Sequence, residues 1–305
     1  MEVKRVVIGT RGSELALKQC EIVKRKLLKS HPGLEVEFKI IKTQGDTNAS
    51  PIPLDTIGKG WFTKEIESEL LDGSIDLAVH SLKDLPEVLP PGLAVAAYPE
   101  REDPRDCMVS KSALPLEQLA SGSVIGTDST RRQIQILALR RDLTVQSMRG
   151  NVPTRLKKAF SPEYDAAILA AAGLRRLGLE NQITQYFEPE KVTPAPGQGI
   201  LAIEIRQDNQ SIKDLISAVN DPEAETAAIA ERNFSKIIGG GCKEPVGAYA
   251  KCAGELLTLL GMLGLPEGGA VYRDQITGKR QDAELLSAEL AERILAHANF
   301  SHVQK

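Results

Sequence analysis

The chain contains 305 residues, of which 42% are apolar and 26% are charged, and its formal net charge is −3. Since this length exceeds that of most single domains, we expect a folded protein of two or three domains. The negative balance argues against general nucleic-acid binding, which needs a strongly positive surface, so any anion site must be local.

Residue usage argues against several kinds of site. The four cysteines form no CxxC pair, so neither a disulfide framework nor a zinc site is indicated. The four histidines lie far apart without HxxxH or HxH spacing, and we predict no metal centre. The first residues predict a short strand rather than a signal segment, and no run of eighteen apolar residues occurs, so we expect a cytoplasmic protein.

An α/β pattern begins near the start of the chain and returns later. Residues 6–27 follow the order strand, loop and helix, and residues 124–138 repeat it, with Thr130 and Gln133 at capping-box spacing. An aspartate introduces a second strand in each copy, Asp76 before residues 77–79 and Asp165 before residues 166–169. The repeat predicts two similar α/β lobes of the periplasmic-binding-protein-like type, each with an anion site where strand ends meet helix N-termini.

Two proline-containing segments, residues 100–106 and 194–199, are suited to linking the two lobes, which we expect to face a shared cleft.

A third, small α+β unit follows. It is predicted from a helix that starts at Asp221-Pro222 and ends near Ile238, strands at 248–252, 256–263 and 271–275, a turn at Thr277-Gly278, and a helix over 283–297. We assign residues 1–99 and 200–217 to domain 1, 105–193 to domain 2, and 222–305 to domain 3.

Cys242 follows three glycines and precedes Lys243-Glu244-Pro245, so its thiol lies on a segment with little side-chain cover. A glycine run lets a bulky group approach the main chain beside the sulfur, which favours an attachment point. The alternative is a buried or idle thiol, since free cysteine is among the most buried residue types. On this hypothesis, domain 3 carries Cys242 toward the cleft.

Asp84 lies at the carboxyl end of a predicted buried strand that turns polar at His80 and is closed by Pro86. A carboxylate there could hold a substrate N–H, stabilise developing positive charge or move protons. The alternative is a simple turn aspartate.

Arginines cluster at the loop-to-helix junctions of both lobes. Because guanidinium groups bind carboxylates and phosphates through paired hydrogen bonds, the set predicts a ligand with many negative charges, although any single member could be a surface residue. The set comprises Arg11, Arg131, Arg132, Arg149, Arg155 and Arg176.

Residues 49–62 contain two prolines and two glycines, with Lys59 near the end, and predict either a mobile lid or a disordered surface loop. Nucleotide binding lacks support, because residues 9–12 are not a P-loop and no GxGxxG run follows a strand.

Over nearly its whole length the chain resembles the porphobilinogen deaminases, also called hydroxymethylbilane synthases, of tetrapyrrole biosynthesis. Matching motifs occur in the same order along the chain. They are Gly9-Thr10-Arg11, residues 79–86, residues 100–106, Gly126-Thr127 with Arg131-Arg132, Arg149-Gly150-Asn151, residues 172–178, Gly197-Gln198-Gly199, and Gly240-Gly241-Cys242 with Pro245.

The resemblance implies a monomeric transferase of porphyrin and heme biosynthesis. Cys242 would carry a dipyrromethane cofactor through a thioether, and this cofactor would serve as the primer. Four porphobilinogen molecules would add head to tail with loss of ammonia, and water would release the linear tetrapyrrole.

Residue roles also follow from the resemblance. Asp84 would be the catalytic residue, holding pyrrole N–H groups and stabilising cationic intermediates. Besides Cys242, the cofactor would be held by Ser81, Lys83, Thr127, Ser129, Arg131 and Arg132. Substrate and the lengthening chain would be bound by Arg11, Ser13, Lys59, Phe62, Arg149, Arg155, Arg176 and Gln198. The lid departs from the family pattern at Thr56, at Gly58-Lys59 and at Trp61.

Two other classes of protein remain as alternatives. A two-lobed solute-binding protein would use the arginines to hold an anion without catalysis, but it gives no reason for Cys242 on a third domain. A cysteine hydrolase would need a histidine base, and no sequence cue brings His80 to the thiol.

Overall fold

The computed structural model describes residues 3–47, 63–239, 245–265 and 270–303. The chain divides into two compact units, Met1–Glu102 with Ile200–Glu225 and Asp103–Gly199 with Thr226–Lys305. Within the described ranges, no helix is both long and apolar enough to cross a membrane. The same residues contain no group of histidine, cysteine and carboxylate side chains suited to a metal ion.

The strands and helices are numbered in chain order. The strands are β1 (Arg5–Thr10), β2 (Glu35–Ile40), β3 (Leu77–Ser81), β4 (Leu93–Ala97), β5 (Asp106–Ser110), β6 (Val124–Gly126), β7 (Thr144–Gln146), β8 (Ala166–Ala170), β9 (Gln185–Tyr186), β10 (Leu201–Arg206), β11 (Val246–Ala253), β12 (Leu256–Leu265) and β13 (Ala270–Lys279). The α-helices are α1 (Glu14–Ser30), α2 (Gln44–Thr47), α3 (Lys64–Leu71), α4 (Thr130–Leu139), α5 (Val152–Ala159), α6 (Ala171–Arg176), α7 (Gln210–Ser217), α8 (Pro222–Ile238) and α9 (Ala283–Val303).

The first unit is built on a mixed five-stranded sheet in the order β2-β1-β3-β10-β4. Strand β1 runs parallel to β2 and β3, whereas β10 runs antiparallel to β3 and β4. Side chains alternate between the faces of a strand, so Leu77 and Val79 join the core under α1 and α7. Ala78 joins Ile66 and Leu70 of α3 on the opposite face.

The second unit contains a sheet of the same design, in the order β7-β6-β8-β5-β9 and with the same strand directions. The two aspartates of the repeat occupy equivalent places. A carboxylate oxygen of Asp76 accepts a 2.8 Å hydrogen bond from the Val7 amide, and one of Asp165 accepts a 2.8 Å bond from the Val124 amide. The predicted pair of similar α/β lobes is therefore confirmed.

The second unit also contains an antiparallel sheet in the order β11-β12-β13, which packs against α9. Gly261 of β12 leaves room for α8 and α9, because a Cβ atom there would lie 2.5 Å from the Phe234 ring and 3.0 Å from Ile294. The predicted small α+β unit is confirmed, and so is the helix start at Asp221-Pro222, where the Asp221 carboxylate accepts from the Ala224 amide.

Two local predictions were wrong. Thr277-Gly278 does not form a turn, since both residues pair with β12 inside β13. The glycine there serves packing, because a Cβ on Gly278 would lie 2.6 Å from a methyl group of Leu286. The N-cap of α4 is Ser129 rather than Thr130, and its hydroxyl accepts from the Arg132 amide.

Candidate functional site

A pocket in the first unit opens at the carboxyl ends of β1 and β3, the edge at which α/β sheets bind ligands. The loop after β1, the first turns of α1, and β3 with its following turn supply its polar lining. That lining includes Arg11, Ser13, Gln19, His80, Ser81 and Asp84. Four residues predicted from the sequence, Arg11, Ser13, Ser81 and Asp84, are thus brought together, whereas Gln19 was not predicted.

Asp84 ends the single 3₁₀ turn that follows β3. Leu82 and Leu85 are buried on either side of it, and the Leu82 amide donates to the Ile200 carbonyl, which fixes the turn to the start of β10. The Asp84 side chain is exposed, and no described residue donates a hydrogen bond to its carboxylate. Its oxygens are therefore available to accept hydrogen bonds from a bound molecule.

The N-terminus of α1 forms another wall of this pocket. Ser13 caps the helix by accepting from the Ala16 amide at 3.3 Å, and Gln19 donates to the Ser81 hydroxyl at 2.8 Å. A helix N-terminus and the Arg11 guanidinium both favour anions. The pocket thus combines groups that attract a negatively charged ligand with one carboxylate that can accept its N–H groups.

In the second unit, Asp106 binds two of the predicted arginines. Its Oδ2 lies 2.7 Å from Nη1 of Arg131, and its Oδ1 accepts from Nη2 of Arg132 at 2.8 Å and from Gln198 at 2.9 Å. All four side chains are buried. Burial opposes ionisation of Asp106, but the two arginine charges outweigh it and lower the pKa of Asp106. Burial also lowers the pKa of Arg131 despite the neighbouring carboxylate.

The loop before α4 holds further predicted residues. The Ser129 amide donates to the Thr127 hydroxyl at 3.3 Å, and Asp128 forms a 3.0 Å ion pair with Arg149. Arg149 is more exposed than the arginines bound to Asp106. The structure therefore groups Thr127, Ser129 and Arg149 at the N-terminus of the helix that carries the two buried arginines.

Three further predicted residues lie within the described part of the chain. Arg176 donates to the Gly199 carbonyl at 2.7 Å, next to Gln198, and Arg155 lies on α5. Lys83 is half-buried beside Asp84. Cys242 and the whole predicted lid, residues 49–62 with Lys59 and Phe62, lie outside the described residues.

A buried glutamate of α8 joins the segment before β10 to the strand that follows Cys242. The Glu231 carboxylate accepts from the Gly197 amide at 2.6 Å and from the Ala250 amide at 2.7 Å. Sequence reasoning missed this residue and also the role of Asp106. No local signal identifies either one, because each stands next to another charged residue, Asp106 after Arg105 and Glu231 before Arg232.

A buried contact between a histidine and a glutamate of the first unit was also missed. Nε2 of His80 lies 3.0 Å from an oxygen of Glu204, and both side chains are buried. Glu204 interrupts the apolar strand β10, which was the one sequence cue.

Comparisons with known proteins identify the same family over most of the chain. Residues 6–214 match the family model described as porphobilinogen deaminase, dipyromethane cofactor binding domain, and residues 225–296 match that of the C-terminal domain of the same family. A porphobilinogen deaminase of Roseiflexus sp. (strain RS-1) is 47% identical over 291 residues, which is 95% of each chain. One of Syntrophus aciditrophicus (strain SB) is 43% identical over 289 residues, 94% of each chain. Among solved structures, the methionine binding protein MetQ aligns with a TM-score of 0.39 and 14% identity over 75% of this chain and 95% of that one.

Proposed function

Because the chain belongs to the porphobilinogen deaminase family, we propose that it is a transferase that joins four porphobilinogen molecules head to tail and hydrolytically releases hydroxymethylbilane. Each addition forms one carbon–carbon bond, breaks one carbon–nitrogen bond and loses one ammonia. The observation that carries the proposal is the family match over residues 6–214 and 225–296, together with an exposed carboxylate in a pocket that attracts anions.

Cys242 is proposed to carry the dipyrromethane cofactor through a thioether. When bound, this group supplies the pyrrole carbon to which the first substrate is joined. The donor set of the second unit suits it: two buried guanidinium groups share the one carboxylate of Asp106, which leaves an excess positive charge for the acetate and propionate groups of a pyrrole. The residues assigned to hold the cofactor are Ser81, Lys83, Thr127, Ser129, Arg131 and Arg132.

Asp84 is proposed to be the catalytic residue. Its carboxylate accepts pyrrole N–H groups and stabilises the positive charge that develops as ammonia leaves. The absence of a hydrogen-bond donor to Asp84 among the described residues supports this role, since the carboxylate loses no protein partner when substrate binds.

Binding of substrate and of the lengthening chain is assigned to positively charged and polar side chains together with Phe62. The ion pair of Arg149 with Asp128 is partly exposed, and a pyrrole carboxylate can compete with Asp128 for that guanidinium. The assigned residues are Arg11, Ser13, Lys59, Phe62, Arg149, Arg155, Arg176 and Gln198.

We further propose a three-domain, monomeric and cytoplasmic enzyme. A separate C-terminal family model over residues 225–296 supports dividing the second compact unit into residues 105–193 and 222–305, with residues 1–99 and 200–217 as the other domain.

The test is incubation of the purified protein with porphobilinogen, followed by measurement of ammonia and of product mass. We expect four ammonia molecules per linear tetrapyrrole released. Saturable porphobilinogen binding without ammonia release would instead identify an anion-binding protein, the alternative that the two-lobed fold allows.

A further inference from the structure

A buried polar cluster lies beneath the pocket of the first unit, between the sheet and α3. His80 is one of the residues that line the pocket, and its Nε2 atom lies 3.0 Å from Oε2 of Glu204 on the neighbouring strand β10. Glu204 is fully buried, and His80 is 7% exposed. Glu67 of α3, which covers this face, is also buried and interacts electrostatically with both residues.

This cluster is poorly satisfied by hydrogen bonds. Among the described residues, the buried polar atoms that lack a well-aligned hydrogen-bond partner include Nε2 of His80, both carboxylate oxygens of Glu204 and Oε1 of Glu67. An incompletely satisfied polar cluster costs folding free energy compared with an apolar core. Its presence therefore needs a reason other than stability.

The second lobe provides an internal comparison, because its sheet has the same strand order. His80 is the fourth residue of β3 and faces Ala202, and the corresponding residue of β8 is Leu169, which faces Cys107. Glu204 faces the second residue of β3, and the corresponding position, opposite Ala167 in β8, is Val109. Leu169 and Val109 are buried in an apolar cluster. The second lobe thus has the same architecture without this histidine–glutamate contact.

We propose that His80, held by Glu204, is a second proton-transferring residue of the Asp84 pocket, an inference that rests on the proposed function. In each addition the carbon–nitrogen bond breaks before the new carbon–carbon bond forms, and the proton displaced from the attacking pyrrole carbon ends on the released ammonia. His80 accepts that proton on its imidazole and passes it to this ammonia, which diffuses away as ammonium, so the ring returns to its starting state. Glu204 stabilises the imidazolium form between the two transfers.

Groups on each neighbouring element favour this assignment. The negative charge nearest the ring is Glu204 on β10, and the pocket side carries Arg11 and Asp84. On α3, burial raises the pKa of Glu67 and the charge of Glu204 adds to that effect, so a neutral Glu67 is favoured next to the pair.

The decisive variant replaces the pair with the residues of the other lobe, His80→Leu with Glu204→Val. Because the second lobe packs these residues at the same positions, we expect a folded protein that retains its cofactor by intact mass. We expect kcat to fall by about 10²-fold or more, with little change in KM. Glu204→Gln, which keeps the shape but removes the charge, should give an intermediate loss.

Calorimetry tests the proposal independently of catalytic activity, by measuring proton exchange on ligand binding. Binding of a pyrrole with acetate and propionate groups but no aminomethyl group is measured in buffers of different ionisation enthalpy, which gives the number of protons exchanged. We expect the double variant to exchange fewer protons than the wild type. A wild-type kcat in the double variant, or equal proton exchange, would overturn the role of His80. Failure of the wild type to release ammonia would instead reject the proposed function.

Discussion

Asp106 lies 2.7 Å from Nη1 of Arg131, and both side chains are almost completely buried. The aspartate begins β5, whereas the arginine lies in the first turn of α4, so the contact ties the sheet of the second unit to the helix proposed to seat the cofactor. The same carboxylate also binds Arg132 and Gln198. We therefore regard Asp106 as the residue that orders this site.

Asp106→Asn should destabilise the protein by about 3–5 kcal/mol, because it leaves two buried arginines without a counter-charge. Urea denaturation at neutral pH measures the loss, and intact mass should show a reduced fraction of protein with bound cofactor. The control is Asp142→Asn, which breaks the exposed pair with Arg140 and should have a much smaller effect. Equal stability of Asp106→Asn and wild type would mean that the buried network is not needed for folding.

Asp84→Asn should retain the fold and the cofactor, since its side chain is exposed and bonded to no described residue. Loss of the carboxylate charge removes stabilisation of developing positive charge, and we expect turnover to fall by about 10²–10⁴-fold. Steady-state ammonia release measures the effect. Glu87→Gln, which removes another exposed carboxylate of the same segment, serves as control, and comparable rates for the two variants would contradict the assignment.

Arg149→Ala should slow elongation rather than attachment of the cofactor. Arg149 is the more exposed arginine near the N-terminus of α4, and its 3.0 Å ion pair with Asp128 is partly exposed. Its removal weakens binding of substrate carboxylates, so enzyme species carrying partial chains should accumulate and be visible by intact mass. Arg141→Ala, an exposed arginine of the same lobe, is the control. An unchanged distribution of bound species would exclude this role.

Glu67→Gln tests the buried cluster through the pH dependence of stability. Burial raises the pKa of Glu67 above its ordinary value of 4.5, so the folded state favours the protonated form. The stability from this effect is complete below pH 4.5 and is lost as pH rises through the folded-state pKa. Glutamine mimics the protonated form at every pH, and the variant should therefore gain stability relative to wild type as pH rises.

Urea titrations at several pH values measure that difference. Glu21→Gln, on an exposed position of α1, should not show a growing advantage with pH. A constant difference between Glu67→Gln and wild type across the range would show that Glu67 has the same pKa in the folded and unfolded protein, which would contradict the effect of burial.

The sequence allowed prediction of those features that depend on local patterns. Asp76 and Asp165 indicated the repeat because each directly precedes an apolar run, and in the structure they accept hydrogen bonds from the equivalent strands β1 and β6. Asp84 was placed at a strand end because the apolar run before it turns polar at His80 and is closed by Pro86. Gly278 was misread as part of a turn, since glycine also occurs where a helix, here through Leu286, packs closely on a strand.

Contacts between distant residues could not be predicted in this way. Asp106 and Gln198 are 92 positions apart, and no local pattern specifies that pairing. The partnership of His80 with Glu204 depends on β10 returning to lie beside β3, which is a property of the sheet order. The arginines at the loop-to-helix junctions predicted an anion site. Their ion pairs with Asp106 and Asp128 could be identified only from the tertiary structure.

The mass of the intact purified protein tests the central proposal most directly, because a covalent primer must survive denaturation. We predict that the wild type exceeds the mass of its sequence by two linked pyrrole units, and that Cys242→Ser lacks both the excess and the activity. A wild-type protein of unmodified mass that releases hydroxymethylbilane at full rate would contradict the account.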